Sequence, residues 1–104
     1  MKRIALLACL LCVGPWAVAK DFTVDQKDKK FSQNALKIKV GDTVEFRNSD
    51  SVSHNIFSLS DAKSFDLGSY QQGLSKRVSF DKPGKVEVEC SIHPNMQMVI
   101  EVEK

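Results

Sequence analysis

The feature that most constrains this chain is a two-residue alternation that stops and restarts around a short loop near the C-terminus. Val86, Val88 and Cys90 share one parity while Glu87 and Glu89 hold the other, and Met98, Ile100 and Val102 repeat the pattern against Glu101 and Glu103. Side chains on a strand point alternately to opposite faces, so each run reads as a strand with an apolar and a charged side. The parity puts Cys90 at the inward end of a core strand. The loop between the two runs carries His93 and Met96, so a thiol, an imidazole and two thioethers (Met96 and Met98) fall within nine residues.

The same alternation runs upstream. Phe22 and Val24 begin one strand. Leu36, Ile38 and Val40 share a face, Gly41-Asp42 is turn chemistry, and Val44 and Phe46 share the face of the next strand, giving a hairpin or a sandwich corner. Asn48 to Ser51 form a turn, after which His54 and Ile56 lie on one face if the chain is extended. Residues 58–73 are polar, with a short strand or anchored loop at 65–68, and are expected to cross from one sheet to the other. Val78 and Phe80 alternate again before the turn at Asp81 to Gly84. Asp25 to Lys30 is a charged connection in which Lys27, Lys29 and Lys30 form a solvated face or, alternatively, a docking patch for an acidic partner. No helical stripe of any length occurs. The expected fold is an all-β Greek-key sandwich or barrel of about seven to eight strands.

The first 19 residues read as a secretory signal. Lys2 and Arg3 precede a short apolar run from Ile4 to Val13, Gly14-Pro15 breaks it, and Ala17-Val18-Ala19 is a cleavage signal. The run is too short for a membrane-spanning helix, which needs about 20 apolar residues. A lipoprotein reading at Cys9 would leave Ala17-Val18-Ala19 without a use. The expected organisation is therefore a signal peptide over 1–19 and one domain over 20–104. With Lys2 and Arg3 removed, 13 basic residues face 13 acidic ones, a balance that gives no basis for nucleic-acid binding. Cys9 and Cys12 leave with the signal, so Cys90 remains alone. An unpaired cysteine in an exported domain points to a reactive thiol, an intermolecular bridge or a metal ligand.

Soft sulfur plus imidazole suits copper, and two histidines, one cysteine and a weak axial methionine make the blue-copper arrangement. The chain has one other histidine, His54, on a distant strand. These residues identify a resemblance. The segment Val40 to Asn48, the pair His54-Asn55, Pro83-Gly84 and the terminal Cys-x-x-His-Pro-x-Met are similar to the cupredoxins, the small type 1 blue copper proteins, and look closest to the amicyanin and plastocyanin group. The likeness covers nearly the whole expected domain.

The resemblance implies that His54, Cys90 and His93 are strong copper ligands and a methionine the weak axial one. An amicyanin-like loop, with two residues between histidine and methionine, selects Met96; a plastocyanin-like loop selects Met98. Parity assigns Met98 to the core, so Met96 is taken as axial. Asn55 would tie the two ligand loops together near Ser91. The implied function is a soluble, monomeric, periplasmic electron carrier and not an enzyme, cycling one copper ion between Cu(I) and Cu(II). Its expected partners are a c-type cytochrome or a periplasmic dehydrogenase, reached through the edge of His93. A copper delivery protein with the same ligands is the alternative. Zinc would accept the histidines and the cysteine but gains little from methionine. A cysteine hydrolase lacks a suitably placed base and an oxyanion site.

Overall fold

A computed structural model describes residues 18–104; residues 1–17, and with them most of the expected export signal, lie outside the described residues. Two sheets face each other around one core. The first runs β2-β1-β4-β7 and the second β3-β9-β8-β5-β6, with β1 Asp21–Lys27, β2 Lys30–Phe31, β3 Ala35–Lys39, β4 Thr43–Asn48, β5 His54–Ser60, β6 Lys63–Tyr70, β7 Ser75–Ser79, β8 Gly84–Cys90 and β9 Gln97–Glu103. The chain passes between sheets at the links after β2, β3, β4, β6 and β7. Most neighbours pair antiparallel, but β1 lies parallel to β4 and β3 parallel to β9. No described helix is long and apolar enough to cross a membrane.

Alternation explains the layering. Val24, Val44, Phe46, Val78 and Phe80 face inward from the first sheet, and Ile38, Ile56, Val86, Val88, Ile100 and Val102 from the second, all buried. Phe65 packs between Phe46 and Phe80, with ring centroids 6.0 and 6.3 Å away. Truncating Phe46 would cost about 3–5 kcal/mol, because the small core cannot close over the gap.

Three sequence expectations change. The Leu36, Ile38, Val40 face ends early: Val40 is 40% exposed because the strand stops at Lys39 and the chain turns a sandwich corner into the other sheet. Residues 58–73 do not as a whole cross between sheets. Most of them form the rest of β5 and the eight-residue edge strand β6, and the crossing is confined to the link before β7. Finally, the strand count is nine among the described residues, because the charged connection at 25–30 is itself a hairpin that adds the two-residue β2.

That hairpin turns on two non-glycine residues with positive φ, Asp28 at 54° and Lys29 at 59°. This is the backbone of a tight turn whose twist matches that of its strands. Aspartate tolerates the left-handed region, whereas lysine pays a steric cost there of about 1–2 kcal/mol. The conformation gives Lys29 a specific task at the site.

Candidate metal centre

Strand register brings the expected residues together. Cys90 is the last residue of β8 and pairs with Ile56 of β5, two residues from His54 at the head of that strand. Beyond Cys90 the chain makes a closed loop: Met96 donates its N–H to the His93 carbonyl at 2.9 Å, and Cys90 donates to the Met96 carbonyl at 3.2 Å. His93 is thereby folded back over the strand ends. His54 Nδ1 lies 3.1 Å from His93 Nδ1 and 3.6 Å from Cys90 Sγ, and Cys90 Sγ lies 3.9 Å from His93 Nδ1.

These separations test whether a metal fits. A three-coordinate ion with imidazole bonds of about 2.0–2.1 Å and a thiolate bond of about 2.3 Å holds its donors roughly 3.6–3.8 Å apart. The point equidistant from the three atoms here lies about 2.1 Å from each, a metal–ligand bond length. The two sulfur–nitrogen separations match those of a bound ion, the two imidazole nitrogens need to part by about half an ångström to admit one, and His54, Cys90 and His93 are the one such donor group among the described residues.

The second layer fixes the tautomer. His54 Nε2 sits 3.0 Å from Asp50 Oδ2. Burial opposes ionisation of Asp50, but hydrogen bonds from Lys29 N–H, the His54 ring and Ser51 N–H outweigh it and hold the carboxyl below its ordinary 3.8. An ionised carboxylate only accepts, so His54 Nε2 carries the proton and Nδ1 turns its lone pair toward Cys90 and His93. Lys29 N–H reaches the same Oδ2 at 2.8 Å, which is why the turn holds lysine in the left-handed region. Buried Asn48 places Asp50 by accepting its N–H at 2.7 Å and donating to the Val52 and Tyr70 carbonyls.

Asp50 and the Lys29 backbone are the contributions that the sequence reading passed over. The available signal was a carboxylate four residues before a candidate ligand histidine, hidden inside what reads as ordinary turn chemistry.

Asn55 ties the ligand segments together, but through its backbone. Its carbonyl accepts Ser91 N–H at 3.0 Å, and its N–H points at Cys90 Sγ, 3.4 Å away. Its side chain turns instead to Asp66 on β6 at 2.8 Å.

The two histidines differ in exposure. His54 is fully buried, while His93 is half-buried. Burial, His54 and Lys29 lower the pKa of His93, Asp50 opposing, which favours the neutral imidazole that a metal requires. Lys29, Lys30, Ile92, Pro94 and Asn95 surround it in a hollow of about 370 Å³ that has no carboxylate in its lining. Both methionines are buried: Met96 in the ligand loop, and Met98 on β9 opposite the core residue Val88.

The family model described as copper binding proteins of the plastocyanin/azurin family matches residues 18–103. The chain is 32% identical over 87 residues to methylamine utilization protein MauL of Methylorubrum extorquens, a match covering 83% of this chain and 76% of MauL. Among solved structures it is similar to a copper-containing nitrite reductase from Thermus scotoductus, with TM-score 0.76 and 31% identity over 88% of this chain; it spans only 24% of that reductase. It is also similar in fold to a reduced amicyanin variant, with TM-score 0.74, 23% identity and coverage of 84% of this chain and 86% of amicyanin.

Proposed function

The chain belongs to the plastocyanin/azurin family of copper-binding proteins, and from that premise we propose that it is a periplasmic type 1 copper electron carrier and not an enzyme. His54, Cys90 and His93 hold the ion and Met96 supplies the weak axial contact. The observation that carries this reading is the triangle of two imidazole nitrogens and one sulfur, gathered within 3.9 Å of one another by strand register. Bound copper supplies a one-electron couple between Cu(I) and Cu(II).

The residues of the chain do the rest. Rigid strand ends keep the donors in one geometry, so a change of oxidation state demands little movement. The Asp50 carboxylate holds the His54 ring, and Asn55 N–H bonds the sulfur, a contact that tunes potential. Buried Met96 and His54 exclude water from one side. His93, at the surface, is the electron port.

A partner docks over His93, Ile92 and Pro94. With Lys29 and Lys30 on the rim and no acidic residue in the hollow, the surface suits a redox protein with an acidic docking face. The resemblance to amicyanin suggests an amine dehydrogenase as donor and a c-type cytochrome as acceptor, and the likeness to a methylamine utilization protein agrees with a role in amine metabolism.

Voltammetry and copper exchange test the reading together. A reversible one-electron couple with copper retained against a metal-free acceptor supports it. Release of copper to that acceptor faster than electron exchange would instead establish a delivery protein.

A further inference from the structure

At the pole opposite the metal centre, Asp42 is a buried carboxylate, 3% exposed, that takes part in no salt bridge among the described residues. Two backbone donors hold it. Lys39 N–H reaches Oδ2 at 2.8 Å, and Lys20 N–H reaches Oδ1 at 2.8 Å. Lys20 is fixed on its other side too, since its carbonyl accepts Thr43 N–H at 3.0 Å, and β1 pairing begins at the next residue, Asp21, opposite Thr43. Val18, by contrast, is 83% exposed. The hydrogen bonding that ties β1 into its sheet thus begins at Lys20, the residue that follows the Ala17-Val18-Ala19 cleavage signal.

Two independent features converge on one bond, and we propose that cleavage between Ala19 and Lys20 completes the fold by placing a new α-ammonium group on the Asp42 carboxylate. Water adds across the Ala19–Lys20 peptide bond. The C–N bond breaks, Ala19 leaves as a carboxylate, and the Lys20 nitrogen keeps its place and becomes a cation. A neutral amide donor at 2.8 Å becomes a charged one, so a carboxylate that already feels the Lys20 and Lys39 side chains gains a cation in direct hydrogen-bond contact. Charge-assisted hydrogen bonds are about twice as strong as neutral ones, and an ion pair with one buried partner is poorly screened. The exported chain is therefore more stable than any form carrying residues before Lys20.

The inference rests on the export reading but not on copper. Its test compares proteins beginning at Lys20 and at Ala19, each with and without Asp42→Asn, by thermal unfolding near pH 7 in copper-loaded and metal-free states. The Lys20 form is expected to melt roughly 4–8 °C higher than the Ala19 form, the range equivalent to about one kcal/mol for a domain of this size. Asp42→Asn should erase the difference.

Should Asp42→Asn fail to fold, the pH dependence of the same difference serves instead. An α-ammonium group ordinarily titrates near 7.7–8.0, and pairing with a carboxylate raises that value. The advantage is then full below about 7.7 and lost as pH rises through the raised value. Lys37, Lys39, Lys104, Glu103 and the Lys20 side chain also face this region, but they are common to both forms. Equal melting of the two forms, a difference that survives Asp42→Asn, or one unchanged up to about pH 11 would overturn the proposal. The mass of the exported protein gives a separate check. A start at Lys20 is expected, an exported chain starting elsewhere defeats this inference alone, and a chain retained with its leader defeats the export reading.

Discussion

Asp50 is the residue outside the donor set on which the site depends most, and its replacement yields graded effects. Oδ2 accepts both the Lys29 N–H at 2.8 Å and the His54 Nε2–H at 3.0 Å, while Oδ1 accepts Ser51 N–H at 2.9 Å. In Asp50→Asn the amide oxygen can take the place of Oδ2, and the amide nitrogen then faces only Ser51, an exposed residue that water can serve. The fold survives. What is lost is the charge on the His54 bond, a difference of about 1–1.5 kcal/mol between charged and neutral acceptors, or roughly 5–15-fold in copper affinity. Asp50→Ala strands the buried imidazole N–H at about 1–3 kcal/mol, while water can serve the N–H of exposed Lys29. The metal-free protein should then melt roughly 4–24 °C lower, and copper affinity should fall about 10–100-fold, as is typical for the loss of a ligand's supporting partner. Chelator competition and calorimetry read the two quantities separately. An Asp50→Ala protein that binds copper as tightly as the parent would refute the claim that this carboxylate orients His54.

Other consequences follow from the same geometry. Met96→Leu should change the copper spectrum, whereas Met98→Leu should leave it intact and cost under about 1.5 kcal/mol as a volume-conserving core swap; the reverse pattern would make Met98 the axial ligand. Changing Lys29 and Lys30 to glutamate should slow electron transfer to an acidic partner and flatten its dependence on ionic strength, with rates measured by stopped flow from low to high salt. Tyr70, the only tyrosine, is pushed up to about 12 by burial, with its hydroxyl placed between Gln26 and the Phe46 carbonyl. The folded state therefore keeps a proton that the unfolded chain releases near 10. Stability should be unaffected below about pH 10 and fall by about 1.4 kcal/mol per unit as pH rises toward 12, while absorbance at 295 nm shows no phenolate until that range.

Legibility in the sequence followed the physics of each element. Strands with one wet face announce themselves by period two, so β4, β8 and β9, and the inward placement of His54 and Cys90, could be read directly. Val40 shows where parity fails, because alternation does not say where a strand ends and a corner begins. The edge strand β6 has few fully buried residues and so reads as polar loop. Asp50 was obscured for a different reason. Its importance depends on Lys29, twenty-one residues away, and on a hairpin whose left-handed lysine no propensity would suggest. Asn55 illustrates a third limit: the residue was singled out, but the link between ligand segments runs through its main chain, which no side-chain pattern encodes.

The central claim is that His54, Cys90 and His93 form one preset copper site. Titrating Cu(II) into the purified domain beginning at Lys20 tests it most directly. The account predicts an intense thiolate-to-copper charge-transfer band that saturates at one equivalent and is absent in Cys90→Ser; no colour at one equivalent, or a band that survives loss of the thiol, would contradict it.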